Sequence, residues 1–353
     1  MSSAGVLGYT TTVRPGHEID GDALAHYLAE RLPEAGRLLD VRQFEGGQSN
    51  PTYLLRAAGG DFVLRKKPPG VLLPSAHQID REYRVMKALG DRGIPVPATF
   101  LLCTDEHVIG TPFLVMGCVS GRVFRQPHLP GVSAGDRRAM YDDMVDVLGR
   151  LHRVDPVAAG LGDYGRPGNY YARQIDRWSR QYGAAKTDDI PAMDRLMAWL
   201  PDHIPTGDET TIVHGDYRVE NLIFHPTEPR IIAVVDWELS TLGHPLADLA
   251  YNCLTWHLAP DALGRVDTVD ADRSGMPDEA AYIEGYCRRT GLSGIPDWHF
   301  YVAFALFRLT SILQGVYVRG LQGNAASTYA LQRGAAARQI AERGWEMACR
   351  GRA

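Results

Sequence analysis

Three short apolar runs in the middle of the chain lead into or out of polar side chains. Residues 210–213 and 230–235 are rich in β-branched residues, and residues 221–224 are mainly apolar. The length and composition of the three runs predict β-strands. A run of this kind normally continues into a core. The Asp-Trp-Glu sequence that begins at Asp236 instead places a carboxylate at a strand end. Backbone pairing stops at such a point, so a ligand can approach it.

The hydrophobic patterns divide the rest of the chain into a strand-rich part and a helix-rich part. Strands are predicted at residues 39–44, 52–56, 61–67 and 111–119, with helices at residues 20–32 and 77–90. Helical spacing dominates later, at residues 136–154, 169–182, 282–290, 298–313 and 325–347. We therefore predict an α+β fold with a first lobe at residues 1–116 and a second lobe at residues 117–353.

Asp216, Asn221 and Asp236 are polar residues in these otherwise apolar central surroundings. Mg²⁺ prefers carboxylate and amide oxygens, which Asn221 and Asp236 supply. Phosphoryl transfer also needs a carboxylate that positions the attacking hydroxyl and accepts its proton, a role that suits Asp216. The pattern predicts a magnesium–nucleotide site. For the His-Gly-Asp sequence alone, the alternative is a turn followed by a hairpin with solvated polar side chains.

A glycine pair separates two of the predicted strands, in the sequence Glu-Gly-Gly-Gln-Ser-Asn at residues 45–50. A hairpin turn is one explanation, because Gly-Gly is common in such turns. The other is a loop that covers nucleotide phosphates, since glycines let the backbone approach closely and free amides donate to phosphate oxygens. On this second interpretation Gly46, Gly47, Ser49 and Asn50 bind the nucleotide.

Composition narrows the function classes. The 353 residues, 45% of them hydrophobic and 22% charged, are typical of an ordinary globular protein that is large enough for two lobes. A formal charge of −5 supplies no basic field and argues against a nucleic-acid partner. We found no apolar run close to the ~20 residues of a membrane span and no signal-peptide pattern. Five cysteines without a Cys-x-x-Cys spacing indicate a reduced, cytoplasmic enzyme.

The central motif resembles a known catalytic loop. His214-Gly-Asp216, followed by Asn221 and later by Asp236, is similar to the catalytic loop and metal-binding Asp of protein kinases. The glycine after the histidine, the Asp-Trp-Glu sequence and the later Gly-His-Pro-x-x-Asp248-Leu-Ala sequence resemble the aminoglycoside phosphotransferase and choline kinase superfamily more closely. This resemblance covers nearly the whole chain. It implies a bilobal, protein-kinase-like fold that binds ATP and Mg²⁺ in a cleft.

The resemblance also implies roles for residues of the first lobe. Arg65 matches the strand cation that holds the α- and β-phosphates, and Lys67 on the same strand face is the alternative. Glu82 matches the helix glutamate that pairs with this cation.

Two further sets of residues take their roles from the same resemblance. Met116 would line the adenine pocket, where the backbone of Gly117 and Val119 would meet the adenine edge. His214 would brace the catalytic loop, and Asp248 would cap the backbone amides beneath it.

The hypothesis that follows is ATP-dependent phosphorylation of a small-molecule hydroxyl, with Asp216 as the base. Residues 62–70, 73–77, 81–85 and 169–174 resemble the kinase-like domain fused to some acyl-CoA dehydrogenases, which implies a hydroxyacyl-CoA substrate. Its phosphates would need cations, and the candidates are Arg122, Arg125, Arg173 and Arg177. The helix that carries Arg173 and Arg177 has an alternative role as a cap of the second lobe.

Two other functions stay open at the sequence level. An aminoglycoside is a polycation and needs an acidic pocket, to which Asp261, Asp267, Asp270, Asp272, Asp278 and Glu279 could contribute. A pseudokinase would bind nucleotide without catalysis. The sequence also leaves open the choice between ATP and GTP and the oligomeric state.

Overall fold

The computed structural model describes residues 9–45, 50–68, 79–258, 272–321 and 330–350. They form two compact units. Unit 1 comprises the described residues of Met1–Val123 together with Asn221–Ser240, and unit 2 comprises Phe124–Glu220 with the described residues of Thr241–Ala353. These bounds differ from the predicted lobes because the Asn221–Ser240 segment pairs with a strand at residues 122–123 and so belongs to unit 1.

Unit 1 is built on a six-stranded antiparallel sheet. Its strands are β1 (Thr10–Thr11), β2 (Leu38–Phe44), β3 (Thr52–Ala57), β4 (Gly60–Lys66), β5 (Thr99–Cys103) and β6 (Phe113–Gly117), in the order β1-β2-β3-β4-β6-β5. Two helices, α1 (Gly21–Arg31) and α2 (Ile79–Gly90), belong to the same unit. Asp20 caps α1, because its carboxylate accepts a hydrogen bond from the Ala23 amide.

The two faces of this sheet have different partners. Strand residues alternate between faces, so Phe62 and Leu64 of β4 point one way and Val63 and Arg65 the other. Phe62 and Leu64 belong to an apolar core with Leu24 and Leu28 of α1. Arg65, on the opposite face, is 6% exposed and reaches Glu82 of α2. On this face the sheet therefore holds a buried cation, Arg65.

A second, three-stranded sheet completes unit 1. It contains β7 (Arg122–Val123), β9 (Leu222–Phe224) and β10 (Ile231–Val234), in the order β10-β9-β7. A 3₁₀ turn, Trp237–Leu239, follows β10 and packs against α2. The hairpin of β9 and β10 thus holds Asn221 and Asp236 at the same end.

Unit 2 is mainly helical. Its helices are α3 (Ala134–His152), α4 (Tyr170–Ala184), α5 (Pro191–Trp199), α6 (Leu246–Asn252), α7 (Glu279–Thr290), α8 (Trp298–Leu321) and α9 (Ala330–Arg350). A two-stranded sheet of β8 (Thr211–Val213) and β11 (Thr241–Gly243) lies among them. The antiparallel sheet of unit 1 and the helices of unit 2 confirm the predicted α+β class.

Helix α8 corrects one expectation. Its 24 residues are long and apolar enough for a membrane span, although the sequence was expected to contain no such run. Of its most apolar 18-residue window, 72% is buried inside the protein. It packs against α4, α6 and α9, which is the position of a core helix.

The close approach of two loops in unit 1 gives a stability test. A Cβ atom on Gly59 would lie 2.0 Å from the Glu34 carbonyl oxygen, whereas a Cβ on Gly21 would meet nothing within 4 Å. We expect Gly59→Ala to destabilise unit 1 by about 1–3 kcal/mol, as overpacking does. Gly21→Ala should leave stability unchanged or slightly raised. Scanning calorimetry of both variants checks this, and equal melting temperatures would contradict the close approach.

Candidate active site

Arg65 is the centre of a charged cluster in unit 1. Its Nη1 donates to Glu82 Oε1 at 2.6 Å, and its Nη2 lies 2.8 Å from Asp236 Oδ1 and 3.1 Å from Glu238 Oε2. Asn50 adds a hydrogen bond of 3.3 Å from Nδ2 to Glu238 Oε2. One guanidinium thus faces three carboxylates, and the cluster carries excess negative charge.

This imbalance shows in the pKa values. Burial lowers the pKa of Arg65, but Glu82, Asp236 and Glu238 outweigh it and raise that pKa above its ordinary value. Burial raises the pKa of Glu82 to about 7; Arg65 opposes the increase, while Asp236 and Glu238 add to it. The Glu82 carboxyl therefore has a pKa close to neutral pH in the folded protein.

Asn221 and Asp236 lie together at one end of the β9–β10 hairpin. The Val235 amide donates to the Asn221 carbonyl at 2.9 Å. This hydrogen bond joins Asn221 to the residue before Asp236. Asp236 has a left-handed backbone, with φ of 69°, a conformation that Asp tolerates better than most residues. Its side chain is 37% exposed. An amide and an accessible carboxylate are hard oxygen donors, and this donor set fits Mg²⁺.

The other nucleotide-binding predictions have mixed outcomes. Gly46, Gly47 and Ser49 lie outside the described residues, and Asn50 is buried against Glu238. Met116 is buried in β6 and pairs with Val63.

At the predicted hinge, the Gly117 amide already donates to the Ala98 carbonyl at 2.8 Å, so an adenine contact there would use another backbone group. The role of Val119 stays a prediction.

The basic end of β4 is partly buried. Lys66 is 6% exposed, donates to the Glu18 carbonyl at 3.1 Å and lies over the Tyr53 ring. Arg65, rather than Lys67, makes the ion pair with Glu82.

In unit 2, a buried carboxylate holds the loop that follows β8. Asp248 of α6 accepts hydrogen bonds from the His214 amide at 2.6 Å and from the Gly215 amide at 2.8 Å. Gly215 has φ of +83°, which explains a glycine between the histidine and the aspartate. His214 is fully buried, and its Nδ1 accepts from the Asp216 amide. His214 and Asp248 thus make the bracing contacts that the motif suggested.

Arg308 of α8 holds the same loop from the carbonyl side. It is 5% exposed and donates to the Gly215 carbonyl oxygen. Its guanidinium lies over the rings of Tyr251 and Trp178, with centroid distances of 4.9 and 5.5 Å. Among the described residues no carboxylate forms an ion pair with Arg308, so carbonyl and ring contacts compensate its buried charge.

The carboxylate of Asp216 has two polar neighbours. Arg218 Nε lies 3.2 Å from it, and the Tyr251 hydroxyl donates to it. Burial and the Asp216 charge raise the pKa of Tyr251 to about 12, so the hydroxyl stays protonated and acts as a donor. Asp216 keeps a side-chain exposure of 14%. It is thus oriented by neighbours yet still accessible.

Three of the four arginines predicted to meet a CoA group have other contacts. Arg173 donates to the carbonyls of Arg166 and Gly168, and Arg122 donates to those of His225 and Glu228. Arg177 lies over the Trp178 ring, and burial lowers its pKa. For Arg173 these contacts favour the structural alternative.

Sequence reasoning missed Glu238, Tyr251 and Arg308. Two of them had a visible signal: Glu238 belongs to the Asp-Trp-Glu sequence, and Arg308 is a single charge within a long apolar helical run.

Comparison with known proteins agrees with this geometry. Residues 40–301 match the model of the APH family, described as the phosphotransferase enzyme family. The chain belongs to this family. The mouse acyl-CoA dehydrogenase family member 10 is 47% identical over 343 residues, which are 96% of this chain and 32% of the mouse protein. The chain therefore spans about a third of that relative. The predicted resemblance to the aminoglycoside phosphotransferase superfamily and to the kinase-like domain of acyl-CoA dehydrogenase relatives is confirmed.

Solved structures show the same fold. A Ralstonia eutropha protein provisionally named an aminoglycoside phosphotransferase has a TM-score of 0.84 and 49% identity, and the match covers 94% of this chain and 99% of that one. Spectinomycin phosphotransferase, solved with ADP and spectinomycin, has a TM-score of 0.62 and 12% identity over 95% and 99% of the two chains. At that identity the likeness shows the fold alone, and the kinase-like fold is confirmed.

The pKa of Glu82 predicts a pH-dependent stability difference. Because the folded state raises this pKa from 4.5 to about 7, ionisation favours unfolding. The contribution of Glu82 to stability is therefore fully present below pH 4.5 and is lost as the pH rises through about 7. Wild type should lose at most about 3 kcal/mol relative to Glu82→Gln across this range. Calorimetry at pH 5 and pH 8 measures it, with Glu30→Gln as an exposed control; a constant difference would refute it.

The Arg308 contact predicts local loosening of the catalytic loop. Arg308→Met leaves the buried Gly215 carbonyl without its donor, which costs about 1–3 kcal/mol. Hydrogen exchange of the Gly215 and Asp216 amides should accelerate about tenfold or more. Mass spectrometry of the peptide that contains them measures this, with the exposed Arg319→Met of the same helix as the control. Unchanged exchange in Arg308→Met would show that the contact does not brace the loop.

Proposed function

We propose that this phosphotransferase moves the terminal phosphoryl group of ATP to the hydroxyl of a hydroxyacyl-CoA. Membership of the family supports the phosphotransferase activity. The relationship to an acyl-CoA dehydrogenase family member, of which this chain spans 32%, supports the CoA acceptor. The observation that carries the proposal is the accessible Asp216 carboxylate on a loop whose backbone is held by Asp248 and Arg308.

Each residue has a distinct role in the proposed transfer. Asp216 orients the acceptor hydroxyl and takes its proton. Asn221 and Asp236 would hold Mg²⁺, which when bound neutralises charge on the phosphates. Arg65, fixed by Glu82, holds the phosphates of the nucleotide. Because phosphoryl transfer is mainly positioning and electrostatics, a loop with fixed backbone groups favours it.

Three of the six acidic residues that could form an aminoglycoside pocket have other partners. Asp272 pairs with Arg137, Asp278 caps α7 through the Ala281 amide, and Glu279 bonds His257 and Trp298. Asp261, Asp267 and Asp270 lie outside the described residues. The described part of this segment thus supplies no uncommitted carboxylate for a polycation, which supports the CoA acceptor over the antibiotic.

A non-catalytic nucleotide-binding role has less support. A pseudokinase typically lacks one of the polar groups of the reaction, whereas Asp216, Asn221, Asp236 and the Arg65–Glu82 pair are all present in this chain. A measurement of phosphoryl transfer distinguishes the enzyme from the pseudokinase.

Replacement of the base tests the proposal. Asp216→Asn removes the proton acceptor, and we expect kcat to fall about 10²–10⁴-fold while the affinity for Mg-ATP changes little. The assay follows phosphoryl transfer to hydroxyacyl-CoAs, aminoglycosides and amino alcohols. Asp176→Asn, an exposed change on α4, is the control and should keep full activity.

The outcomes separate the hypotheses. Full turnover by Asp216→Asn would remove Asp216 from the mechanism. Turnover only on an aminoglycoside would keep the mechanism and exclude the CoA acceptor. ATP binding by calorimetry with no turnover on any acceptor would favour the pseudokinase.

A further inference from the structure

A cavity lies beside the catalytic loop within unit 2. It has a volume of about 80 Å³, room for several water molecules or a short aliphatic chain. Its lining comes from α3, α6 with the turn that follows it, α8, Pro127 and the catalytic loop segment. The lining residues are Pro127, Tyr141, Met144, Arg218, Val219, Glu220, Tyr251, Asn252, Leu254, Thr255, Leu258 and Leu309.

The polar side chains that line the cavity already have partners within the protein. The Tyr141 hydroxyl donates to the Pro127 carbonyl at 2.7 Å and also bonds Thr255. Asn252 donates to the Tyr217 carbonyl and accepts from the Tyr282 hydroxyl at 2.6 Å. These polar groups already have hydrogen-bond partners without a ligand. The wall therefore presents the apolar atoms of Met144, Leu254, Leu258 and Leu309 to whatever occupies the cavity.

Two of the residues that line the cavity also contact the proposed base. Tyr251 donates its hydroxyl to the Asp216 carboxylate, and Arg218 Nε lies 3.2 Å from the same carboxylate. Arg218 also pairs with Glu220. A molecule whose hydroxyl reaches Asp216 therefore meets charged groups at the catalytic loop and apolar side chains from α3, α6 and α8.

We propose that this cavity binds the aliphatic tail of the acceptor, the part of the chain that continues beyond the hydroxyl-bearing carbon. The inference rests on the proposed phosphorylation of a hydroxyacyl-CoA and deepens it. The CoA end then leaves the site away from the cavity, because its phosphates have no charge complement among the leucines. The cavity volume limits the tail to a few carbons, so the enzyme discriminates acceptors by tail length.

A substrate series measures this discrimination. Hydroxyacyl-CoAs with the hydroxyl at one fixed position would continue for one, three or five carbons beyond it. Each buried methylene contributes ~0.8 kcal/mol, which is about fourfold in kcat/KM, until the cavity is full. The wild-type enzyme should therefore prefer the three-carbon tail over the one-carbon tail by about tenfold or more.

Leu258 provides the decisive variants, because it is only half-buried and tolerates replacement better than the core leucines. Leu258→Trp fills the cavity and should abolish the preference for longer tails, while the one-carbon substrate keeps its kcat/KM within about twofold. Leu258→Ala enlarges the cavity and should shift the optimum to the five-carbon tail. Leu292→Trp, at an exposed position outside the cavity, is the matched control. Unchanged tail preference in both Leu258 variants would overturn the proposal.

A binding measurement separates this proposal from the proposed function. 1-Hexanol, titrated by NMR without nucleotide, should bind wild type saturably and bind Leu258→Trp at least about tenfold more weakly. If no hydroxyacyl-CoA is phosphorylated but hexanol binding shows this difference, the acceptor is wrong and the apolar tail site stands. If hexanol binds both proteins equally or neither, the tail site is refuted whatever the turnover shows.

Discussion

The buried carboxylate of Asp248 is the constraint on which the catalytic loop depends. It is 1% exposed and accepts two backbone amides of the loop, with His152 Nε2 at 3.4 Å as a third neighbour. Burial alone would raise the pKa of Asp248, but His152 and the other donors outweigh this and lower it. The carboxylate therefore stays ionised.

The loop has further buried contacts besides those of Asp248. Arg308 donates a hydrogen bond to the Gly215 carbonyl, and Asn252 donates one to the Tyr217 carbonyl. The Tyr217 hydroxyl donates to the Met144 carbonyl. With its backbone groups committed in this way, the loop can present Asp216 in one orientation without ordering cost at the moment of reaction.

The charged cluster of unit 1 differs from this loop, because its negative charges outnumber its positive charge. The Arg65 guanidinium faces the carboxylates of Glu82, Asp236 and Glu238, so these four groups together carry excess negative charge, which a proton or another cation relieves. Such a cluster is a poor contributor to stability, because its desolvation is expensive and only partly repaid. A cluster of this kind is reasonable where the missing positive charge arrives with a cation, as it would with the proposed Mg²⁺.

The sequence predicted those features that depend on local order along the chain. The strands around Asp216, Asn221 and Asp236 follow from β-branched composition, and the Arg65–Glu82 pair followed from the motif order of a known superfamily. Glu238, Tyr251 and Arg308 could not be found this way, because their roles arise from packing between segments far apart in sequence. Arg308 lies 93 residues from the carbonyl that it binds. The burial of Lys66 could not be predicted for the same reason, because its hydrogen-bond acceptor, the Glu18 carbonyl, belongs to a segment that the strand pattern does not reveal.

Helix α8 connects the core of unit 2 to its chemistry. Its apolar composition buries most of it among other helices, and that burial allows a single arginine, Arg308, to act without competition from water. The next residue, Leu309, lines the apolar cavity. A one-residue step on a helix turns the side chain by about 100°, so one rigid element supports both the backbone of the loop and the wall beside the base. A shift of α8 would change loop position and cavity shape together, which couples the catalytic geometry to the fit of the acceptor.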